Sequence, residues 1–170
     1  RYTKSCFLSV LQQYFAQHEV FPWQQNSLKT KIVISESFPT MPFSMPAIIV
    51  GDCIIDRPFE KSLSRGLVEE KFEDQMIDGV TMSAYAGDIS ISRLDSSINI
   101  QIWGMDKFVA EIVADEIITL LNYSCFEKFS LAGLEIVDIN DSSSSETPFG
   151  NDLFFKYNLS IKTYHEWEMN

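Results

Sequence analysis

Residues 88–122, DISISRLDSSINIQIWGMDKFVAEIVADEIITLLN, decide the fold because their apolar period changes once, from two to 3.6. Ile98, Ile100 and Ile102 alternate with polar residues, which is typical of a strand with one buried face. After Trp103-Gly104 the apolar residues recur at helical spacing and predict an amphipathic helix with a broad apolar stripe: Phe108, Val109, Ile112, Val113, Ile117, Leu120 and Leu121. A strand that passes directly into a helix predicts a small α+β domain.

Strands are also expected before this stretch. Val80 to Ala86 can form a strand, and Asp95-Ser96-Ser97 has turn chemistry. Residues 80–103 therefore predict a three-stranded meander with corners at Gly87 and at 95–97.

The flanking segments supply the remaining elements. An N-terminal helix ending near His18 is predicted by the helical spacing of Phe7, Val10, Leu11, Tyr14 and Phe15. Alternating or apolar runs predict strands at 31–37, 47–50, 133–139 and 153–167. The whole chain therefore predicts a single α+β domain over 1–170, with a mixed, mostly antiparallel sheet flanked by two amphipathic helices.

Two segments show neither a helical nor a strand period. Residues 51–80 combine a turn at Arg57-Pro58 with a cluster of acidic residues, and they predict an irregular inserted arm. Residues 140–152, NDSSSSETPFGND, are polar and rich in serine, and they predict a flexible loop.

Composition limits the classes of partner. The chain has 170 residues, with 13 Lys and Arg against 24 Asp and Glu, so the net charge is −11. This balance argues against gripping nucleic acid along its backbone, because that needs a basic face. An acidic channel would instead repel a duplex and let it slide past. No apolar run approaches the length of about 18 residues that a membrane span needs, so no membrane partner is predicted.

The sequence gives little indication of a catalytic or metal-binding site. The histidines, His18 and His165, lie far in sequence from Cys6, Cys53 and Cys125, and the cysteines lack metal-ligand spacing. The cysteines are expected to be buried or half-buried free thiols. The sequence therefore predicts no enzyme, no cofactor and no metal.

Isolated polar residues leave one enzymatic alternative open. A histidine could in principle join a serine triad, although no GxSxG elbow is present. Carboxylates for magnesium could come from Asp52, Asp56, Asp88 and Asp95, although aspartates at strand ends more often serve turns.

Six residues are candidates for an interface. The acidic cluster that includes Glu69, Glu70, Glu73 and Asp74 is either a solvated face or a charged patch that meets a partner subunit or lines a pore. Near the C-terminus, Trp167 with Tyr164 is a docking candidate, because tryptophan and tyrosine are enriched at interface hot spots. Trp103, in contrast, is expected in the core.

The order of motifs resembles a family. MPAIIVGD at 45–52 follows a proline-containing loop, and a G-x-x-I strand begins at Gly133 before the closing YNLSIKTYHEW at 157–167. Between them lies a pattern of the form W-x-x-D-x-x-x-A-x-x-x-A-D-x-I-x-x-L-L, formed by Trp103, Asp106, Ala110, Ala114, Asp115, Ile117, Leu120 and Leu121. Over about residues 5–50 and 85–165 the chain resembles the tail terminator (tail completion) proteins of tailed bacteriophages, and more loosely their neck and head–tail joining proteins.

The resemblance implies a structural virion protein that assembles in the host cytoplasm. Its copies would form a hexameric ring that caps the tail tube protein and meets the neck or connector protein, and in a contractile tail also the sheath protein. DNA would only pass through the lumen. A head-completion (stopper) or baseplate component, and a small soluble enzyme or ligand-binding domain, remain alternatives. Contacts to neighbours are expected from the 51–80 arm and the 140–152 loop.

Overall fold

The fold is seen in a computed structural model that describes most of the chain. The described residues are 2–26, 28–38, 45–56, 67–77, 80–149 and 152–169.

Over the described ranges, helices and strands are grouped along the chain: one helix, four strands, three helical segments and two strands. The helical segments are α1 (Tyr2–Ala16), α2 (Lys107–Thr119), a π-helical turn (Leu120–Ser124) and α3 (Phe126–Leu131). The strands are β1 (Val33–Ser35), β2 (Ala47–Asp56), β3 (Leu67–Ile77), β4 (Val80–Gly104), β5 (Leu134–Phe149) and β6 (Asp152–Met169).

These strands form one mixed sheet in the order β1-β2-β4-β6-β5, with β3 paired to the first half of β4. The short β1 runs parallel to β2, and every other pair is antiparallel. The predicted α+β class with a mixed, mostly antiparallel sheet is confirmed.

The main core lies between one face of the sheet and the helices. On β4, Ile98, Ile100 and Ile102 are buried on this face, as their alternation predicts. Helix α1 contributes Phe7, Leu11 and Phe15, all fully buried. The buried stripe of α2 is narrower than predicted, because Phe108 is 68% exposed.

The passage from β4 into α2 depends on Gly104 and Asp106. A Cβ on Gly104 would lie 3.2 Å from the backbone oxygen of Asp106, so the tight turn favours glycine. The Asp106 side chain then caps α2 by accepting a hydrogen bond from the Phe108 N–H at 2.8 Å. The abrupt change of period in the sequence therefore corresponds to a real strand-to-helix junction.

The opposite face of the sheet carries a smaller apolar cluster. It buries Ala47, Ile49, Trp103 and Phe154. The Trp103 ring meets Phe38 edge-on, with ring centroids 4.7 Å apart. The expectation that Trp103 belongs to the core is confirmed.

The turn predicted at 95–97 is wrong, because β4 continues through it. Ser96 is buried, and its hydroxyl lies 2.9 Å from the hydroxyl of Thr163 on β6. A polar run thus becomes strand where the neighbouring strand supplies matching polar partners. Instead of a three-stranded meander, residues 80–103 thus lie in one long strand, β4. Its first half forms a hairpin with β3, and its second half belongs to the main sheet.

Both segments expected to be irregular contain regular strands. Residues 67–77 of the predicted irregular arm form β3, although 57–66 and 78–79 lie outside the described residues. The predicted loop at 140–152 is strand on both sides, in β5 and at the start of β6. Register shifts in the β5–β6 ladder fall between Ile136 and Asp138 and between Ser142 and Ser145. These irregularities accommodate the serine-rich run within β5, and residues 150–151 lie outside the described residues.

Candidate functional site

The hairpin of β3 with residues 80–91 of β4, here called the arm, extends beyond the main sheet. Its ladder runs from the Leu67–Ile91 pair to the Ile77–Val80 pair. Strand β6 joins β4 only from Ser90 onward, so among the described residues 80–89 pair with β3 alone. Ten extended residues span about 30 Å.

The arm carries exposed apolar side chains. Phe72 is 54% exposed and Met76 is 78% exposed. An isolated two-stranded hairpin is marginally stable in water, and it gains stability when a partner covers its apolar side chains. The arm is therefore a candidate docking element.

The predicted interface residues fall into two groups. Glu69, Glu70, Glu73 and Asp74 all lie along β3, within the arm, and their side chains are outside the described structure. On β6, the Trp167 backbone pairs with Ser92, next to the root of the arm.

Tyr164 lies further inside the sheet than Trp167. Its hydroxyl donates a short hydrogen bond to the Glu135 carboxylate on β5. The Tyr164 hydroxyl is thus engaged within the subunit, whereas the acidic residues and Trp167 are positioned at the arm and its root.

The four candidate carboxylates do not form one cluster, although the backbones of Asp56 and Asp95 are register partners in the β2–β4 ladder. Asp52 accepts a hydrogen bond from the Lys4 ammonium at 2.9 Å, and this contact lowers the pKa of the Asp52 carboxyl. Asp56 ends β2, Asp88 lies in the arm, and Asp95 lies in β4 where it pairs with β2. Among the described side chains, no three histidine, cysteine or acidic groups are close enough together to hold a metal ion.

A cleft of about 1030 Å³ opens between α1 and the wall formed by α2, the π-helical turn and α3. Tyr14 and His18 face it from the α1 side, and Ile112, Glu116 and Leu120 face it from the other. π-Helical turns are rare and are often found at functional sites.

Three polar side chains form the rim of this cleft. The Tyr14 hydroxyl donates a short hydrogen bond to Glu116 Oε2, and this bond, with partial burial, raises the pKa of Tyr14 to about 12. The His18 ring accepts at Nδ1 from the backbone N–H groups of Phe21 and Val20, at 3.0 and 3.3 Å. Its Nε2 lies 3.9 Å from Glu116 Oε1.

Cys125 also lines the cleft, but it is not activated as a nucleophile. Burial raises the pKa of its thiol, and the nearby Lys128 ammonium offsets this only in part. A thiol with a raised pKa is a poor nucleophile at neutral pH, because the thiolate is the reactive form. All three cysteines are free, with Cys125 buried and Cys6 and Cys53 half-buried, as predicted.

Tyr14 and Glu116 were not predicted as site residues from the sequence, and His18 was considered only as a metal ligand or a member of a serine triad. Tyr14 and His18 are four residues apart at the end of a predicted helix, which is a local signal that they share a face. Glu116 lies 102 positions from Tyr14, so no local pattern could pair them.

The fold and the two candidate sites define a two-layer α+β protein with a projecting hairpin. The helices of the described part are too short or too polar to cross a membrane. No protein-family model matches the chain, and a search of curated proteins found no match.

Proposed function

We propose that this protein is a bacteriophage tail terminator, which forms a hexameric ring on the end of the tail tube and joins it to the connector on the head side. The resemblance in motif order supplies the class. The observation in the structure that carries the proposal is the arm, which exposes Phe72 and Met76 beyond the subunit's own core.

The arm gives a physical basis for ring formation. A ring needs a heterologous contact, in which one surface of each subunit meets a different surface of the next. The arm presents exposed apolar side chains and leaves one backbone edge of residues 80–89 open among the described residues. Docked on a neighbouring copy, these groups would be covered and paired.

Charge supports a passive relation to DNA. The net charge of −11 disfavours tight contact with phosphates and suits a lumen through which a duplex slides. The arm sequence shares this character, since Glu69, Glu70, Glu73 and Asp74 surround a single Lys71.

The 140–152 segment no longer supports a separate role as a docking loop. Most of it forms the β5–β6 ladder, and Asp141 accepts a hydrogen bond from the Tyr157 hydroxyl at 3.0 Å. Deleting 141–147 would remove pairs of this ladder and destabilise the fold, so it cannot test assembly. The arm is the better target.

The experiment measures the solution mass of the full chain by light scattering, with negative-stain imaging. The wild type is expected to form rings, and the double variant Phe72→Ser/Met76→Ser is expected to remain monomeric. Its urea midpoint is expected to match that of the wild type at a concentration low enough for the wild type to be monomeric as well. Leu131→Ser is the matched control, because Leu131 is 90% exposed on α3 and lies away from the arm. This control is expected to form rings.

Two results would count against the proposal. Rings that persist in the arm variant would exclude the arm as the contact. A wild type that stays monomeric, alone and when mixed with its tail tube, would remove the terminator assignment and favour the stopper, the baseplate component or the ligand-binding alternative.

A further inference from the structure

We propose that the cleft between α1 and α2 binds a neutral amphipathic ligand whose head group both donates and accepts a hydrogen bond, as a primary carboxamide does. This inference does not depend on ring formation, because every residue that carries it belongs to one subunit.

The polar side chains at the rim of the cleft hold a hydrogen-bond donor, from His18, beside a hydrogen-bond acceptor, from Glu116. Because His18 Nδ1 accepts two backbone N–H groups, the neutral ring carries its proton on Nε2. Glu116 is held by the Tyr14 hydroxyl through Oε2, which leaves Oε1 as an acceptor. The 3.9 Å between His18 Nε2 and Glu116 Oε1 is too long for a hydrogen bond, so the two groups stand side by side.

A carboxamide complements this pair. Its oxygen can accept from His18 Nε2–H while its NH₂ donates to Glu116 Oε1. A carboxylate ligand could accept from His18 Nε2–H but would meet the charge of Glu116, although Lys128 also lines the cleft. An ammonium ligand could pair with Glu116 but would leave the His18 Nε2–H without an acceptor. Only a head group that both donates and accepts satisfies both rim groups at once.

The rest of the cleft suits an alkyl tail. Val10 on α1 and Ile112 on α2 are half-buried lining residues, and Leu120, which is 2% exposed, also lines the cleft. Phe21 stacks on the His18 ring, with centroids 5.8 Å apart and planes 18° apart. The volume of about 1030 Å³ is at the upper end of the range typical of small-molecule sites.

The experiment titrates the full chain with hexanamide and follows methyl NMR signals. Saturable shifts are expected at Val10, Ile112 and Leu120, with a dissociation constant of about a millimolar, as a ligand of this size at modest efficiency would give. Hexylammonium and hexanoate, tested under the same conditions, are expected to bind at least about tenfold more weakly. Equal binding of all three would overturn the assigned head-group chemistry.

Two variants locate the site. His18→Asn keeps a side-chain acceptor for the turn but removes the Nε2 donor, so it should weaken hexanamide binding and reduce the preference over hexylammonium. Ala16→Trp places an indole in the cleft, since Ala16 is an exposed lining residue, and it should abolish the shifts. Ser130→Trp is the matched control, because Ser130 is exposed on α3 outside the lining.

The binding experiments test the ligand site independently of the proposed ring. Absence of saturable shifts in the wild type, or unchanged binding in Ala16→Trp, would overturn the ligand site. Neither result bears on the ring, which is measured by mass with the arm variants. If His18→Asn fails to fold, Ala16→Trp with its control still decides the question.

Discussion

The molecule has two regions, the arm and a two-layer body that consists of the helices and the remaining strands. The two regions share strand β4, but they differ in how far the side chains next to it are buried. β4 runs through both, from Val80 to Gly104. In the body, Ile100 is fully buried beneath the helices, whereas on the partner strand in the arm Phe72 is 54% exposed. The same extended backbone thus lies beneath the helices at one end and, at the other, in a hairpin with exposed apolar side chains.

This difference separates folding from assembly. The body buries a continuous cluster of aliphatic and aromatic side chains, and this burial is the main favourable contribution to its folding. The arm adds ladder hydrogen bonds and little described apolar burial within the subunit. Substitutions in the body should therefore change the free energy of unfolding, and substitutions in the arm should change association.

The largest effect is expected from matched phenylalanine truncations in the two regions. Phe7 is fully buried and its ring centroid lies 4.8 Å from that of Phe129, so Phe7→Ala should lower the free energy of unfolding by about 3–5 kcal/mol. Phe72→Ala should lower it by no more than about 1 kcal/mol, the span of strand propensities, since Phe72 is 54% exposed.

Urea titration monitored by circular dichroism measures both changes. The comparison requires a dilute sample in which the protein is monomeric, because association would stabilise the arm by mass action. A loss at Phe72 as large as that at Phe7 would show that the arm is part of the folding core, and the division between the two regions would be wrong.

The next effect concerns the point where β4 continues instead of turning. Thr163→Val keeps the shape of the side chain but leaves the buried Ser96 hydroxyl without this partner, at a cost of about 1–3 kcal/mol. Adding Ser96→Ala should recover part of the loss, because both polar groups are then gone. A double-mutant cycle in urea measures the coupling, and strictly additive losses would contradict a cooperative pair.

The sequence predicted the elements with strong periodicity and missed those set by distant partners. The isoleucines of β4 were predicted correctly, and so was the apolar stripe of α2 apart from the exposed Phe108, because burial on one face leaves a local period. Ser96 looked like a turn residue, and its partner Thr163 lies 67 positions away. The serine-rich 140–149 segment was assigned to a loop because its strand character depends on pairing with β6.

The candidate sites show the same limit. The acidic residues of the arm were selected from composition, but composition does not show that they lie on one strand of a projecting hairpin. The cleft lies between α1 and α2, which come together only in the folded chain. The contact between Tyr14 and Glu116 could therefore not be predicted from the sequence.

The smallest effect concerns this contact and tests whether the cleft rim also stabilises the body. Tyr14→Phe removes the hydrogen bond to Glu116 and should lower the free energy of unfolding by about 1 kcal/mol at pH 8. Folding raises the pKa of Tyr14 from 10.0 to about 12, so between these values the folded state holds a proton that the unfolded state has lost. Stability from this contact is therefore complete below pH 10 and is lost as the pH rises through 12.

The wild type and Tyr14→Phe should thus differ most below pH 10 and converge toward pH 12 in urea titrations. Taking the difference between the two proteins cancels the alkaline titration of the other groups. Tyr123→Phe is the matched control, because Tyr123 is 81% exposed, and it should show no gap at any pH. A gap for Tyr14→Phe that stays constant up to pH 12 would mean that the lost stability comes from packing rather than from the proton shared with Glu116.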